Sequence, residues 1–273
     1  MKPKFLVLKL KNIAFIVAAL AVSILTIVFS LNAIVRANVG ASAEADDRAR
    51  LAIIIDDFGQ ARAGVDIMIG IDRKLTLAVM PFLEFSERDM EKAAEGGHEV
   101  IIHIPLQYGY NDKQDWVGEN AVKVIDSDEA VRNKISSFVD SLPKAVGANI
   151  HMGSLGSTDK RVMTVVMQTL KERGLYFVDS KTSAGSVCSA VSKEVGISYG
   201  ENGIFLENHG KDDESIKKQL MKAAALAKKT GAAIAIGHVG AESGKVTAEV
   251  IRDNIGQIEA MGVELVYASE IVK

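Results

Sequence analysis

The sequence predicts an α/β protein in which parallel strands form an irregular (β/α) barrel of seven or eight units, preceded by an N-terminal transmembrane or signal segment. After Arg50, short apolar runs alternate with longer segments of helical period, as in parallel strands joined by helices. No linker rich in Pro, Gly or Ser interrupts the alternation, and neither Gly-x-Gly-x-x-Gly after the first strand nor Gly-x-x-x-x-Gly-Lys is present. The 230 residues after residue 43 therefore favour a barrel over a doubly wound nucleotide-binding sheet.

The first predicted element is an apolar N-terminal segment. Residues 13–35 carry no charge, four lysines precede them and Arg36 follows. At about 1.5 Å per residue this stretch reaches about 34 Å, enough to cross a hydrocarbon core of about 30 Å. The basic flank predicts an inner-membrane anchor and an exported domain, periplasmic or on the cell-envelope side. A cleaved signal peptide ending at the small residues 41–43 is the alternative, although the apolar stretch exceeds the usual length of about 7–15.

We therefore predict a segment over residues 1–43 and a barrel domain over residues 44–273. The segment has five basic and no acidic residues, so the domain keeps 27 Lys and Arg against 35 Asp and Glu, a formal charge of −8. Such a domain is a poor partner for nucleic acid. A single cysteine, Cys188, excludes a disulfide scaffold. The oligomeric state is left open.

The predicted strands are the apolar runs that follow residue 50. Two of the helical segments between them, at 162–170 and 216–227, have apolar stripes of helical spacing and end at Gly174 and Gly231. The eight strand predictions are residues 51–55, 75–79, 100–104, 145–148, 175–178, 204–206, 233–236 and 263–267.

Polar residues follow these runs at the point where several predicted strands end. The carboxyl ends of parallel strands open on one face of a barrel, which is where catalytic groups collect. His98, which precedes its strand, should lie at the opposite end. Taken singly, each residue could be a helix cap or a buried core histidine, but together they predict a site at the mouth. The residues are Asp56 and Asp57, His103, Asn149 and His151, Asp179 and Ser180, and His238.

Two imidazoles and one carboxylate form a ligand set for a divalent metal. Asp57, His103 and His151 are the best three candidates. Zn²⁺ is the expected ion, Fe²⁺ and Co²⁺ are compatible with the same ligands, and open positions remain for water and substrate.

Five blocks of sequence resemble the divergent polysaccharide deacetylases, relatives of the NodB-type carbohydrate esterases. They follow the family's order over nearly the whole predicted domain, which makes the resemblance specific. It implies an irregular (β/α) barrel and metal-dependent N-deacetylase chemistry. The blocks are IIIDDFG (53–59), GHEVIIHIP (97–105), NIHMGS (149–154), FVDSKTS (177–183) and AIGH (235–238).

The resemblance implies a role for each matching residue. Asp56 is similar to the general base, Asp57 and His103 to metal ligands, and His238 to the general acid with Asp179 orienting it. His151 stands where the NodB pattern has a different motif, so its ligand role rests on its chemistry and on the divergent branch of the family.

The sequence departs from the NodB pattern at two places. The second metal-binding histidine of that pattern is replaced by Gln107, and no arginine follows residues 145–148 to tether the base. Both departures leave binding better supported than turnover.

The connection after the third predicted strand is rich in aromatic residues. Three of the 15 Phe, Trp and Tyr residues, Tyr108, Tyr110 and Trp116, fall within nine positions. They predict a stacking platform for sugar rings, and a hydrophobic lid is the alternative. The predicted substrate contacts are Trp116, Tyr108, Ser180 and Asn149.

The function expected from these observations is that of an exported metal-dependent deacetylase acting on an N-acetylated glycan, with peptidoglycan as the nearest polymer. The first alternative is a catalytically silent envelope protein that binds a glycan or a protein partner through the same cleft. The second is a metal hydrolase of another amide or ester.

Overall fold

The computed structural model describes residues 48–109, 117–241 and 243–273, and Ala49–Lys273 form one compact unit. The predicted segment at residues 1–43 and Trp116 lie outside the described residues. Within these ranges, no helix combines the length and the apolar character needed to cross a bilayer.

Among the described residues, nine strands form one sheet, and every pairing between them is parallel. All eight predicted runs contribute a strand, and Tyr199–Glu201 is an additional one. The strands are β1 (Ala49–Phe58), β2 (Thr76–Val79), β3 (Glu99–Leu106), β4 (Gly147–Met152), β5 (Tyr176–Asp179), β6 (Tyr199–Glu201), β7 (Ile204–Phe205), β8 (Ala232–His238) and β9 (Val263–Val266).

Helices alternate with most of the strands, as the pattern predicted. Three of them begin at a polar side chain that accepts a backbone N–H of the first turn: Ser127, Asp159 and Asp212. The helices are α1 (Val65–Ile69), α2 (Ser86–Glu95), α3 (Asp128–Ser141), α4 (Lys160–Glu172), α5 (Cys188–Val195), α6 (Asp213–Thr230) and α7 (Gly244–Ala260).

The sheet curls into an irregular barrel, which confirms the predicted fold class. Its strand order is β6-β5-β4-β3-β2-β1-β8-β7, with β9 paired to the first half of β1. No ladder joins the end strands β6 and β7 in the described part of the chain, but only Asn202 and Gly203 separate them. Asn202 N–H donates to Asp179 of β5, and Gly203 N–H donates to Ile234 of β8. This two-residue link therefore brings the two edges of the sheet together.

Side chains alternate between the two faces of the sheet and form two apolar cores. The larger core lies between the strands and the helices and includes Leu51, Ile53 and Ile55 of β1. The smaller core contains strand residues of the opposite parity, such as Ala52 and Ile54, and is covered by the C-terminal segment. We call the strand positions of this second parity the inner series. Where the inner series continues past the apolar positions, its side chains point into the mouth of the barrel.

Candidate metal centre

A β-bulge at the end of β1 brings two consecutive carboxylates to the mouth. In a regular strand, Asp56 and Asp57 would point to opposite faces. The β1–β2 register shifts between Ile55 and Phe58, and Asp57 has a φ of 70°, a left-handed conformation uncommon for residues other than glycine. Asp56 continues the inner series of β1, and the bulge turns Asp57 toward the same opening.

Asp57 meets two histidines from neighbouring strands. Its Oδ1 lies 3.0 Å from His151 Nδ1 and 3.3 Å from His103 Nε2, and these two ring nitrogens are 3.1 Å apart. The three candidate ligand atoms all lie within 4.8 Å of one another. His103 and His151 reach this point because they occupy inward positions of β3 and β4, strands paired in register.

The chemistry of this cluster fits a divalent metal. Burial opposes ionisation of Asp57, but its contacts with His103 and His151 prevail and hold its pKa well below the usual range. The carboxylate is therefore in the form that a metal binds. One carboxylate and two imidazoles supply fewer than the four ligands of a closed structural zinc site, so such a site would keep a position for water or substrate.

A second carboxylate, Asp56, lies beneath the cluster and is 1% exposed. Its Oδ1 accepts a 2.7 Å hydrogen bond from Asn149 Nδ2, and Asn149 Oδ1 lies 2.7 Å from His103 Nδ1. Burial raises the pKa of Asp56 despite the nearby His103 and His238. Burial alone would lower the pKa of His103, but the negative charges of Asp56 and Asp57 raise it.

His238 lies beside Asp56 at the end of β8. The two residues are register partners of β1 and β8, and both continue the inner series of their strands. Glu207 Oε2 lies 3.0 Å from His238 Nδ1, and Glu207 Oε1 accepts from the His238 N–H and from the Thr247 hydroxyl. Burial would lower the pKa of His238, but Glu207 raises it to about 9. Burial would raise the pKa of Glu207, but its contacts with His238 and Thr247 lower it.

The predicted contact between Asp179 and His238 is wrong, and Glu207 occupies that place. Asp179 follows the outward series of β5, because Phe177 belongs to the core under the helices. Its carboxylate accepts hydrogen bonds from the Lys181 N–H and the Ser186 hydroxyl. Asp179 therefore fixes the loop between β5 and α5.

Two predicted substrate contacts are buried. Asn149 is 0% exposed and bridges Asp56 to His103, so it cannot touch a substrate. Ser180 is 1% exposed, and its hydroxyl bonds both the N–H and the carbonyl of Ile150. Tyr108 is half-buried at the mouth end of β3 and stays a predicted substrate contact.

Both departures from the NodB pattern have a structural explanation. Gln107 Oε1 accepts the N–H of Val124 at 2.8 Å, and the Gln107 carbonyl accepts from Leu155 and Gly156. Gln107 therefore holds loops together, while His151 supplies the second imidazole. Asn149 donates to the buried carboxylate that an arginine would otherwise hold.

Two roles in the site were not predicted from the sequence: the contact of Glu207 with His238, and the bridge that Asn149 forms between Asp56 and His103. Glu207 directly follows the predicted run at 204–206 and shares the inward parity of Phe205. Its position in the sequence therefore predicts a side chain at the mouth of the barrel. Asn149 has the same inward parity as His151, two residues later, but its bridge between Asp56 and His103 is seen only in the side-chain contacts. His98 lies at the opposite end of the barrel, as expected, with Nε2 2.9 Å from the Ile69 carbonyl.

Fold and site together define a parallel α/β barrel with a possible metal site at its mouth. The family pattern of the divergent polysaccharide deacetylases matches residues 53–272, so the chain belongs to that family.

Relatives in two bacteria support this family assignment. An uncharacterised protein of Haemophilus influenzae is 28% identical over 82% of this chain and 79% of its own length. The uncharacterised protein YibQ of Escherichia coli is 32% identical over 69% of this chain, and the matched region covers 58% of the length of YibQ.

Two solved structures have a similar fold. The uncharacterised protein ATU2773 of Agrobacterium tumefaciens has a TM-score of 0.76 at 22% identity, over 82% of this chain and 89% of that protein. The peptidoglycan N-acetylglucosamine deacetylase Bc1960 has a TM-score of 0.50 at 12% identity, over 82% of this chain and 88% of that chain.

Proposed function

We infer that this protein is an exported metal-dependent deacetylase that removes N-acetyl groups from a glycan. One observation carries the proposal: a buried carboxylate, Asp56, and a histidine paired with a carboxylate, His238, flank a cluster of metal-ligand type at a single mouth. Asp56 and His238 are register partners, and Asp57, His103 and His151 lie beside them. Metal-dependent hydrolysis of an amide uses this combination of a base, an acid and an electrophile.

Asp57, His103 and His151 would hold the metal. A bound divalent metal lowers the pKa of a water ligand toward about 7 and polarises a carbonyl oxygen. Asp56 would accept a proton from the attacking water, and Asn149 holds its carboxylate in place. The raised pKa of Asp56 makes this carboxylate a stronger base than an exposed aspartate.

His238 would donate the proton that the departing amine needs. With a pKa of about 9 the imidazole is charged at neutral pH, and Glu207 holds Nδ1 so that Nε2 is the donor available to a substrate. An amine is a poor leaving group until it is protonated. Deacetylation therefore needs this proton, whereas binding of the glycan does not.

An N-acetylated sugar suits the surroundings of the site. Its acetamide is neutral and meets no repulsion from a domain of formal charge −8. Tyr108 offers an aromatic ring of the kind on which sugar rings stack, and Trp116 is a second stacking residue that is predicted from the sequence alone. Peptidoglycan is the proposed polymer because the basic flank of residues 13–35 predicts export.

Acetate release from N-acetylglucosamine oligomers tests the proposal. We expect release by the zinc-loaded full-length protein and loss of release after chelation or in Asp57→Asn. Asp66→Asn is the matched control, because Asp66 is exposed in α1 and its side chain is 77% accessible. Equal acetate release by chelated and metal-loaded protein would contradict the proposal.

A silent glycan-binding protein is the second candidate. Gln107 and the absent arginine favoured it in the sequence, but His151 and Asn149 provide replacements for both groups. Glycan binding that persists in Asp56→Asn, together with no acetate release by the wild type, would identify this function. A panel of other amides and esters separates the remaining hydrolase alternative.

A further inference from the structure

Asn149 contacts both the predicted base, Asp56, and a predicted metal ligand, His103. It is 0% exposed, its Nδ2 donates to Asp56 Oδ1 at 2.7 Å, and its Oδ1 lies 2.7 Å from His103 Nδ1. Asn149 can therefore act only through its two neighbours.

The orientation of the Asn149 amide follows from the chemistry of Asp56. An ionised carboxylate only accepts hydrogen bonds, so the NH₂ group must face Asp56 and the carbonyl oxygen must face His103. The reversed amide would place two acceptor oxygens 2.7 Å apart in a buried site, at the cost of a lost charge-assisted hydrogen bond.

The orientation of the amide in turn selects the tautomer of His103. A carbonyl oxygen beside Nδ1 requires a ring hydrogen on Nδ1, and in the neutral ring that a metal binds this leaves the lone pair on Nε2. His103 Nε2 is the atom that faces Asp57 and His151, at 3.3 Å and 3.1 Å. The opposite tautomer would point a hydrogen into the cluster and block a metal.

We propose that Asn149 is a positioning residue that holds His103 in its metal-binding tautomer and Asp56 in place as the base. A single buried amide thus connects the two halves of the site. The Asp56 half of this inference rests on the proposed function, whereas the His103 half concerns metal binding alone.

Two substitutions separate these halves. Asn149→Asp keeps an oxygen for His103 Nδ1–H but replaces the amide donor to Asp56 with a second carboxyl group. Asn149→Leu has a similar volume and removes both contacts. Asn202→Leu is the matched control, because Asn202 is also a buried bridging amide, donating to the Ser180 carbonyl and accepting from Ile204 N–H away from the site.

Zinc affinity of the full-length protein is measured by competition with a chromophoric chelator. We expect Asn149→Leu to bind zinc about 10–100-fold more weakly than wild type, as when an outer partner of a ligand is lost. Asn149→Asp and Asn202→Leu should keep the wild-type affinity.

The ¹⁵N chemical shifts of the His103 ring report its tautomer directly. They are measured in metal-free protein at a pH where the ring is neutral. We expect hydrogen on Nδ1 in wild type and Asn149→Asp, and a mixture of tautomers in Asn149→Leu.

Wild-type zinc affinity in Asn149→Leu, or an equal loss in Asn149→Asp, would overturn the His103 half. Acetate release provides the readout for the Asp56 half, and zinc-loaded Asn149→Asp should lose it. Wild-type release by that variant would overturn the Asp56 half. Absence of release by the wild type would count against the proposed function alone, because affinities and ring shifts do not depend on turnover.

Discussion

At the residue scale, Glu207 determines whether His238 carries a proton at neutral pH. Burial of the imidazole favours its neutral form, but the carboxylate 3.0 Å from Nδ1 reverses that preference and raises the pKa to about 9. The proposed acid therefore depends on a residue that need not touch the substrate.

Replacing Glu207 by Gln should shift the pH dependence of acetate release. Loss of the negative charge lets burial lower the pKa of His238, so the protonated acid disappears at a lower pH than in the wild type. We expect the alkaline limb of kcat to move down from about 9 and the rate at neutral pH to fall. A pH–rate profile of the zinc-loaded enzyme measures both effects.

Glu201→Gln is the control for this substitution, because Glu201 accepts from Tyr199 on the outer side of the barrel. An alkaline limb at the wild-type position in Glu207→Gln would show that His238 is not the acid, or that another group sets its pKa.

At this scale the sequence predicts which strand ends form the site, but the contacts of each residue also depend on its inward or outward parity. Asp57, His103, His151 and His238 were placed together because parallel strands end on one face. The contact predicted for Asp179 fails because Asp179 has the outward parity of Phe177 along β5, so a strand end predicts a site residue only together with its parity. The bridge through Asn149 depends on side-chain distances, which no sequence pattern contains.

At the element scale, the bulge of β1 holds Asp57 in a strained backbone conformation that directs its carboxylate into the mouth of the barrel. Asp57 has a φ of 70°, where a side chain other than that of glycine is disfavoured. Backbone strain of this kind is retained at functional sites when the surrounding structure enforces it. Here the neighbouring β2 and β8 ladders hold β1 on both sides.

Asp57→Gly should fold more stably than Asp57→Ala, although neither variant retains the carboxylate. Glycine adopts a positive φ freely, whereas alanine retains the strain, and the expected difference is about 1 kcal/mol in the free energy of unfolding. Urea unfolding of the metal-free variants measures it. Equal stability would mean that the bulge is unstrained or relaxes on substitution.

The strands that sequence reasoning found are those with a continuous apolar run. The additional strand, Tyr199–Glu201, is three residues long and half exposed, so it has neither the length nor the apolar pattern that identifies a strand. The bulge could not be predicted either, because Asp56-Asp57 also fits an ordinary strand end followed by a helix cap. Both features depend on contacts with distant parts of the chain.

At the scale of the whole molecule, the charge of the chain is divided between two regions. The basic residues near the N-terminus offset an acidic domain, so the formal charge of −3 describes neither region. The fold assignment relies on residues 48–273, whereas the proposed export relies on the sequence of residues 1–43.

We predict that the protein is retained in the inner membrane with an intact N-terminus. Residues 13–35 are longer than a usual signal-peptide core and are flanked by lysines. Membrane fractionation followed by N-terminal sequencing of the recovered chain tests this prediction. A soluble exported protein that begins at residue 44 would show that the segment is a cleaved signal peptide.

The zinc content of the purified full-length protein tests the central claim most directly, with wild type compared to His103→Ala, His151→Ala and the control His98→Ala. His98 is a buried histidine at the far end of the barrel, bonded to Ile69 and outside the cluster. We predict stoichiometric zinc in wild type and His98→Ala and strongly reduced zinc in His103→Ala and His151→Ala. Unchanged zinc in both cluster variants would contradict the assignment of Asp57, His103 and His151 as the metal site.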